Sequence, residues 1–262
     1  MKSLLEKARN GKPLGLRPGI DMHGHIGRCN FSIPDFSGAS LVRSMDKVGI
    51  RKILLSHMNC MNFDVRWGND VVAREIRNYP GRIEGYVSLW PDSSKNVHNE
   101  IKRCLKLGFG GIKMHNVNKV RYNDPVYAPA WEVANERYLP VLMHTWGDEP
   151  TMGDVRAMAE KYPGAVLLTG HSGASAEEKY IALAKEMPNV YLELCYSQGP
   201  RGLVERFVQA VGAEKIVFGS DALFYSLHHQ VGKVIGANIA EKEKEMILGE
   251  NAARLLARRR LD

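Results

Sequence analysis

Nine histidines are spread unevenly through the 262 residues, and their placement points to chemistry. Asp21-Met22-His23-Gly24-His25 sets two imidazoles two residues apart. On a strand the side chains alternate with period two, so His23 and His25 face one side. Neutral imidazole and carboxylate are preferred donors for a borderline divalent cation. An HxH pair alone is weak evidence, because two surface histidines give the same pattern. His144 and Asp221 strengthen it, since each closes a short apolar run as His25 does. Three imidazoles and one carboxylate would hold one ion and leave one or two positions open, as a catalytic site does.

Eight such apolar runs punctuate the chain: 18–25, 51–57, 82–89, 110–115, 139–144, 165–171, 189–195 and 215–221. Continuous apolarity over so few residues fits strands buried on both faces, as in a parallel sheet. Between them lie segments with helical spacing, such as LVRSMDKV and VHNEIKRCLKLG. Gly49, Gly108, Gly164 and Gly212 stand where helices should stop. Eight alternations without a GxGxxG after the first strand predict a (β/α)₈ barrel, distorted, with extra C-terminal helices. The tail should form two helices, with Gly249 ending the first and Asn251 capping the second. One domain over residues 1–262 is expected.

In such a barrel the active site lies at the C-terminal strand ends. Five of the eight runs finish on a histidine, namely His25, His57, His115, His144 and His171, and Asp221 finishes a sixth. A non-catalytic barrel would have to treat those six residues as accident.

Composition narrows the classes. A net charge of +7 permits weak attraction to anions, but the charge is dispersed. Its densest cluster, Arg254 with Arg258 to Arg260, closes a helix, so no nucleic-acid partner is expected. Cys29, Cys60, Cys104 and Cys195 form no CxxC pair, which suggests reduced thiols in a cytoplasmic protein. The N-terminus lacks a signal-peptide core, and no apolar run is long enough to span a membrane.

DMHGHIG, VLMH, LLTGHSG, VFGSDA and ILGENAARLL, in order from about residue 18 to 257, resemble the amidohydrolase-related branch of the amidohydrolase superfamily. The resemblance implies a distorted barrel with one divalent metal on His23, His25, His144 and Asp221. Zinc is the expected ion, with manganese, iron or cobalt as alternatives. It also implies that His171 bonds the metal-bound water or the substrate, or in some members binds a second metal. Lys113 corresponds in strand to the carboxylated lysine of two-metal relatives. Aligning GGIKMH with LPVLMH, however, sets His115 level with His144 and Lys113 one layer deeper, which favours one metal. Family members are commonly dimers, so a homodimer is allowed.

A bound cation would lower the pKa of coordinated water, with Asp221 taking and returning the proton and His171 orienting the water. This scheme predicts hydrolysis of an amide, lactone or ester of a small molecule. The alternative is a metal-dependent decarboxylase or hydratase of an aromatic or unsaturated acid. There Asp221 or His171 would supply the proton that replaces carbon dioxide. Short loops tilt the expectation towards a hydrolase. Substrate contacts are expected from His115, Lys113, Arg28 and His57, with Arg66 a further cation. Asn59, Trp90, Tyr196, Phe224 and Tyr225 are softer candidates, while His98, His228 and His229 are expected at the surface.

Overall fold

Short apolar runs become strands here because helices cover the outside of each and side chains fill the inside. The computed structural model describes residues 3–28, 32–61, 64–195 and 199–261. Cys29 and the candidate Tyr196 lie outside the described residues. The strands are β1 (Ile20–Ile26), β2 (Lys52–His57), β3 (Ile83–Ser88), β4 (Phe109–Met114), β5 (Pro140–His144), β6 (Val166–Gly170), β7 (Val190–Glu193) and β8 (Ile216–Val217). The helices are α1 (Leu4–Arg9), α2 (Gly38–Val48), α3 (Val65–Asn78), α4 (Ser94–Leu105), α5 (Ala128–Arg137) and α6 (Glu149–Lys161), followed by α7 (Glu177–Glu186), α8 (Leu203–Val211), α9 (Leu227–Ile235), α10 (Glu241–Glu245) and α11 (Asn251–Ala257). Side chains of Ser37, Asp64, Ser93 and Asp148 accept from the first turns of α2, α3, α4 and α6, which fixes where those helices begin.

The strands lie in chain order from β1 to β8, and each neighbouring pair is parallel. With β8 only two residues long, closure falls to single bonds. Met22 N donates to Phe218 O at 2.8 Å, and Asp221 N donates to His23 O at 2.8 Å. The result is the expected (β/α)₈ barrel, nearly closed, with C-terminal helices added. Among the described residues, no helix is long and apolar enough to cross a membrane.

Two apolar clusters hold the barrel. The larger lies between sheet and helices. The smaller fills the interior with Ile20, Met22, Leu54, Tyr86, Leu142, Leu168, Tyr191 and Val217, sealed by Ala252 and Leu255 of α11. Those interior residues set the phase of each strand. The residues two further on, including Ser56, Ser88, His144 and Glu193, therefore also face inward near the mouth.

β1 departs from this simple alternation. Asp21 pairs with Ile53, but Gly24 pairs with Leu55, so Met22 and His23 together oppose Leu54. This bulge shifts the phase by one residue. Ile20 and Met22 fill the interior, yet His23 and His25 still point to the mouth.

The tail differs from expectation in detail. Gly249 does not end a helix; residues Met246–Glu250 form a π-helical turn joining α10 to α11. A Cβ at Gly249 would stand 2.1 Å from the Pro18 carbonyl oxygen, so the glycine permits close contact with the chain entering β1. Asn251 does not cap α11. It is buried, and its amide donates to Ala213 O at 2.7 Å and Ile216 O at 2.8 Å, which ties α11 to the start of β8. Replacing Asn251 with Ala leaves two buried carbonyls without donors. We expect a loss of about 1–3 kcal/mol in unfolding free energy, measured by urea denaturation, with activity per folded molecule preserved. An unchanged midpoint would show that this tie contributes nothing.

Candidate metal centre and active site

The phase shift in β1 aims both histidines at the carboxylate after β8. His23 Nε2 lies 3.2 Å from His25 Nε2 and 3.6 Å from Asp221 Oδ1, and His25 Nε2 lies 3.2 Å from the same oxygen. Donors about 2.1 Å from one ion and arranged tetrahedrally stand about 3.4 Å apart, so these three atoms fit a shared cation. Their ring orientation is fixed from behind. Glu193 Oε2 lies 3.0 Å from His23 Nδ1, and Ser56 Oγ lies 3.1 Å from His25 Nδ1. With the Nδ1 proton directed to Glu193, the Nε2 lone pair of His23 is left for a cation.

Glu193 is fully buried and also accepts from His171 N at 3.1 Å and Cys195 N at 2.7 Å. Gly219 makes room for it, because a Cβ there would sit 1.8 Å from Glu193 Oε1. The backbones of His171 and Asp221 adopt left-handed φ values of 63° and 56°. Such conformations carry a cost in non-glycine residues and concentrate at functional sites.

A group of four donors, His23, His171, Cys195 and Asp221, lies within 4.8 Å and is buried throughout. Cys195 Sγ is 3.2 Å from His23 Nδ1 and 3.0 Å from His171 Nδ1. His144 joins through its neighbour, with Nδ1 3.1 Å from His171 Nε2. His115 lies level with it, as the alignment of the two strand ends requires, and the rings stack with centroids 4.0 Å apart. Trp146, 42% exposed, stacks on His171 at 5.0 Å with the planes 5° apart. Lys113 is buried one layer deeper, and its Nζ reaches within 3.1 Å of His23 Nε2.

Arg28 and His57 stand apart from this cluster. They line a flanking groove of about 540 Å³ with Phe36, Asn59, Trp67 and Arg74. His57 meets the edge of Trp67 at 5.0 Å. Arg66 pairs with Glu100 at 3.6 Å, and Phe224 meets the edge of His25 at 5.8 Å. Trp90 lines a different cavity, beside α4. His98, His228 and His229 are exposed, as expected.

Glu193, Cys195, Ser56 and Trp146 were not among the residues singled out from sequence as site-forming. A signal for the first two existed: in NVYLELC a carboxylate interrupts an apolar strand, and the cysteine follows at the same phase.

Charge at the site is concentrated in one carboxylate. Burial alone would raise the Asp221 pKa, but His23, His25 and His171 together hold it well below the usual range. Burial raises Glu193, and it raises the Cys195 thiol further with help from Glu193. Burial also lowers five histidines: His23 and His144 far below their ordinary value, His171 below it, His57 to about 4 and His115 to about 3.

Comparison with known proteins follows this geometry. The family model described as amidohydrolase matches residues 20–258. The gamma-resorcylate decarboxylase of Polaromonas sp. strain JS666 is 24% identical, covering 82% of this chain and 85% of the relative. Among solved structures, the 5-carboxyvanillate decarboxylase of Sphingomonas paucimobilis aligns with a TM-score of 0.74 at 16% identity, over 92% of this chain and 99% of that one. A dihydroxybenzoic acid decarboxylase of Polaromonas sp. JS666, with bound manganese and 2-nitroresorcinol, aligns with a TM-score of 0.71 at 20% identity, over 92% of this chain and 97% of that one.

These relatives overturn the expectation of a hydrolase, because they are lyases that break a carbon–carbon bond. The physical reason is plain. Loop length says nothing about which bond a cation, a carboxylate and an imidazole help to break. Zinc is likewise not confirmed, since the metal in the solved relative is manganese.

Histidines that protonate near pH 6.5 when unfolded but stay neutral when folded make acid destabilising, because below that pH the unfolded chain binds more protons. Glu193, and Asp21 pushed up to about 8 by burial, act in the opposite sense. They are two groups against five histidines. We therefore expect the metal-free protein to lose stability as pH falls from about 6.5 to about 4, by up to about 1.4 kcal/mol per pH unit for each histidine. Denaturant midpoints across that range measure it, and a flat profile would contradict the neutral cluster.

Proposed function

The chain belongs to the amidohydrolase family, and from that premise we propose that it is a metal-dependent, non-oxidative decarboxylase of a small hydroxylated aromatic acid. The observation that carries this reading is the run of curated relatives, aligned over most of their length, that are decarboxylases. His23, His25 and Asp221 hold the ion, with His144 or Cys195 as further donors. Manganese is favoured by the solved relative. A cation there supplies positive charge that binds and polarises the substrate's oxygens.

The chain's own groups do the rest. The His115–His144 stack and Trp146 on His171 offer flat faces to a ring. Lys113 meets the substrate's negative charge, and Arg28 and His57 serve the outer groove. Asp221, ionised at rest, takes the proton of the hydroxyl beside the carboxylate and delivers it to the ring carbon. The carbon–carboxylate bond then breaks, its electron pair restores the aromatic ring, and carbon dioxide leaves. Solvent reprotonates the phenolate. His171 orients Asp221 and the substrate.

Manganese-loaded protein should convert 2,6-dihydroxybenzoate or a related hydroxybenzoate to the phenol with release of carbon dioxide. No turnover across such a panel would sink the reading. Asp221→Asn keeps an oxygen that can face the ion but cannot carry the proton. Turnover should fall by at least about a hundredfold while much of the metal is retained in excess manganese. Metal content and rate should be measured on one sample. Near-normal turnover in the metallated variant would leave Asp221 a ligand only.

A further inference from the structure

Ser88, the last residue of β3, is 1% exposed, and its hydroxyl has no hydrogen-bond partner among the described residues. A buried hydroxyl without a partner is costly, which makes its retention informative. Its backbone is held with care. Asn69, itself fully buried on α3, accepts from Ser88 N at 3.0 Å and donates to Ser88 O at 3.0 Å. Two residues earlier, Tyr86 points inward and donates to Met22 O across the barrel, so Ser88 faces inward as well.

Its neighbour in the sheet is Lys113, paired with it in register. Both side chains face the mouth. Lys113 currently donates to His23 Nε2, the lone pair that a cation needs. An ammonium and a metal cannot share one lone pair, so Lys113 requires another acceptor in the loaded protein.

From this juxtaposition we infer that Ser88 and Lys113 form the seat for the substrate's carboxylate, on the side of the mouth opposite Asp221. The hydroxyl donates to one carboxylate oxygen, and the ammonium pairs with the other. Ser88 is then a specificity residue: it recognises the group that leaves, and the product has nothing to offer it. This inference rests on the decarboxylase reading above.

Calorimetry on the manganese-loaded protein tests it, with 2,6-dihydroxybenzoate as the acid and resorcinol as the same ring without the carboxylate. Ser88→Ala should weaken the acid about tenfold and leave resorcinol within about twofold. Ser88→Thr, which keeps the hydroxyl, should restore most of the loss. The Asn69 clamp uses only backbone atoms, so both variants keep it, and their unfolding midpoints check this. A wild type that binds the acid, with Ser88→Ala binding it equally well, overturns the carboxylate seat alone. A parallel loss of acid and resorcinol overturns it too, as a general disturbance of the mouth. A wild type that binds neither compound overturns the aromatic-acid reading and this seat with it.

Discussion

The site depends on one buried carboxylate. Glu193 takes the Nδ1 side of His23 and the backbone amides of His171 and Cys195, so it ties together β1 and the segments following β6 and β7. Without it, His23 would be free to turn, and the amide of His171 would lose its acceptor at a residue whose backbone is already strained. Burying a carboxylate is unfavourable unless its oxygens are bonded. Here both are used, and Gly219 is a glycine because the nearest Glu193 oxygen occupies the space of a methyl group. The arrangement behind the histidines thus fixes the face they present.

Much of this architecture was legible in the sequence because it rests on periodicities that short-range sterics impose. Apolar runs of four to seven residues, spaced by amphipathic segments, can hardly pair in any way but a parallel barrel. The inward histidines at strand ends followed from the same alternation. His23 and His25 were aimed correctly for a reason the alternation does not contain: the bulge at Met22–His23 moves the phase between the core-facing and mouth-facing parts of β1. Nothing in the residue types of DMHGH announces a bulge. Its cause is the register against β2, which is a property of two strands together.

Other features escaped for related reasons. Asn251 looked like a helix cap because capping is local, whereas its carbonyl partners lie 35 and 38 residues away. Ser56 and Ser88 carried no signal, since serine near a strand end is unremarkable until its neighbours are known. The reaction type was misread because donors and proton carriers constrain the transition state only loosely. A cation beside a carboxylate and imidazoles can support water attack or loss of carbon dioxide, and the substrate decides which bond is weakest. Resemblance to curated decarboxylases supplied what the residue types could not.

The interior of the barrel is finished by α11, whose Ala252 and Leu255 complete a cluster begun by Ile20 and Met22. These partners are separated by more than two hundred residues, and α11 is synthesised after all eight strands. During translation, therefore, the first strand waits with its apolar base open to water until the last helix arrives. The nascent barrel exposes a hydrophobic mouth at the end opposite the chemistry. The demand this fold places on the cell is thus one of timing, met by whatever shields that opening until the plug is made.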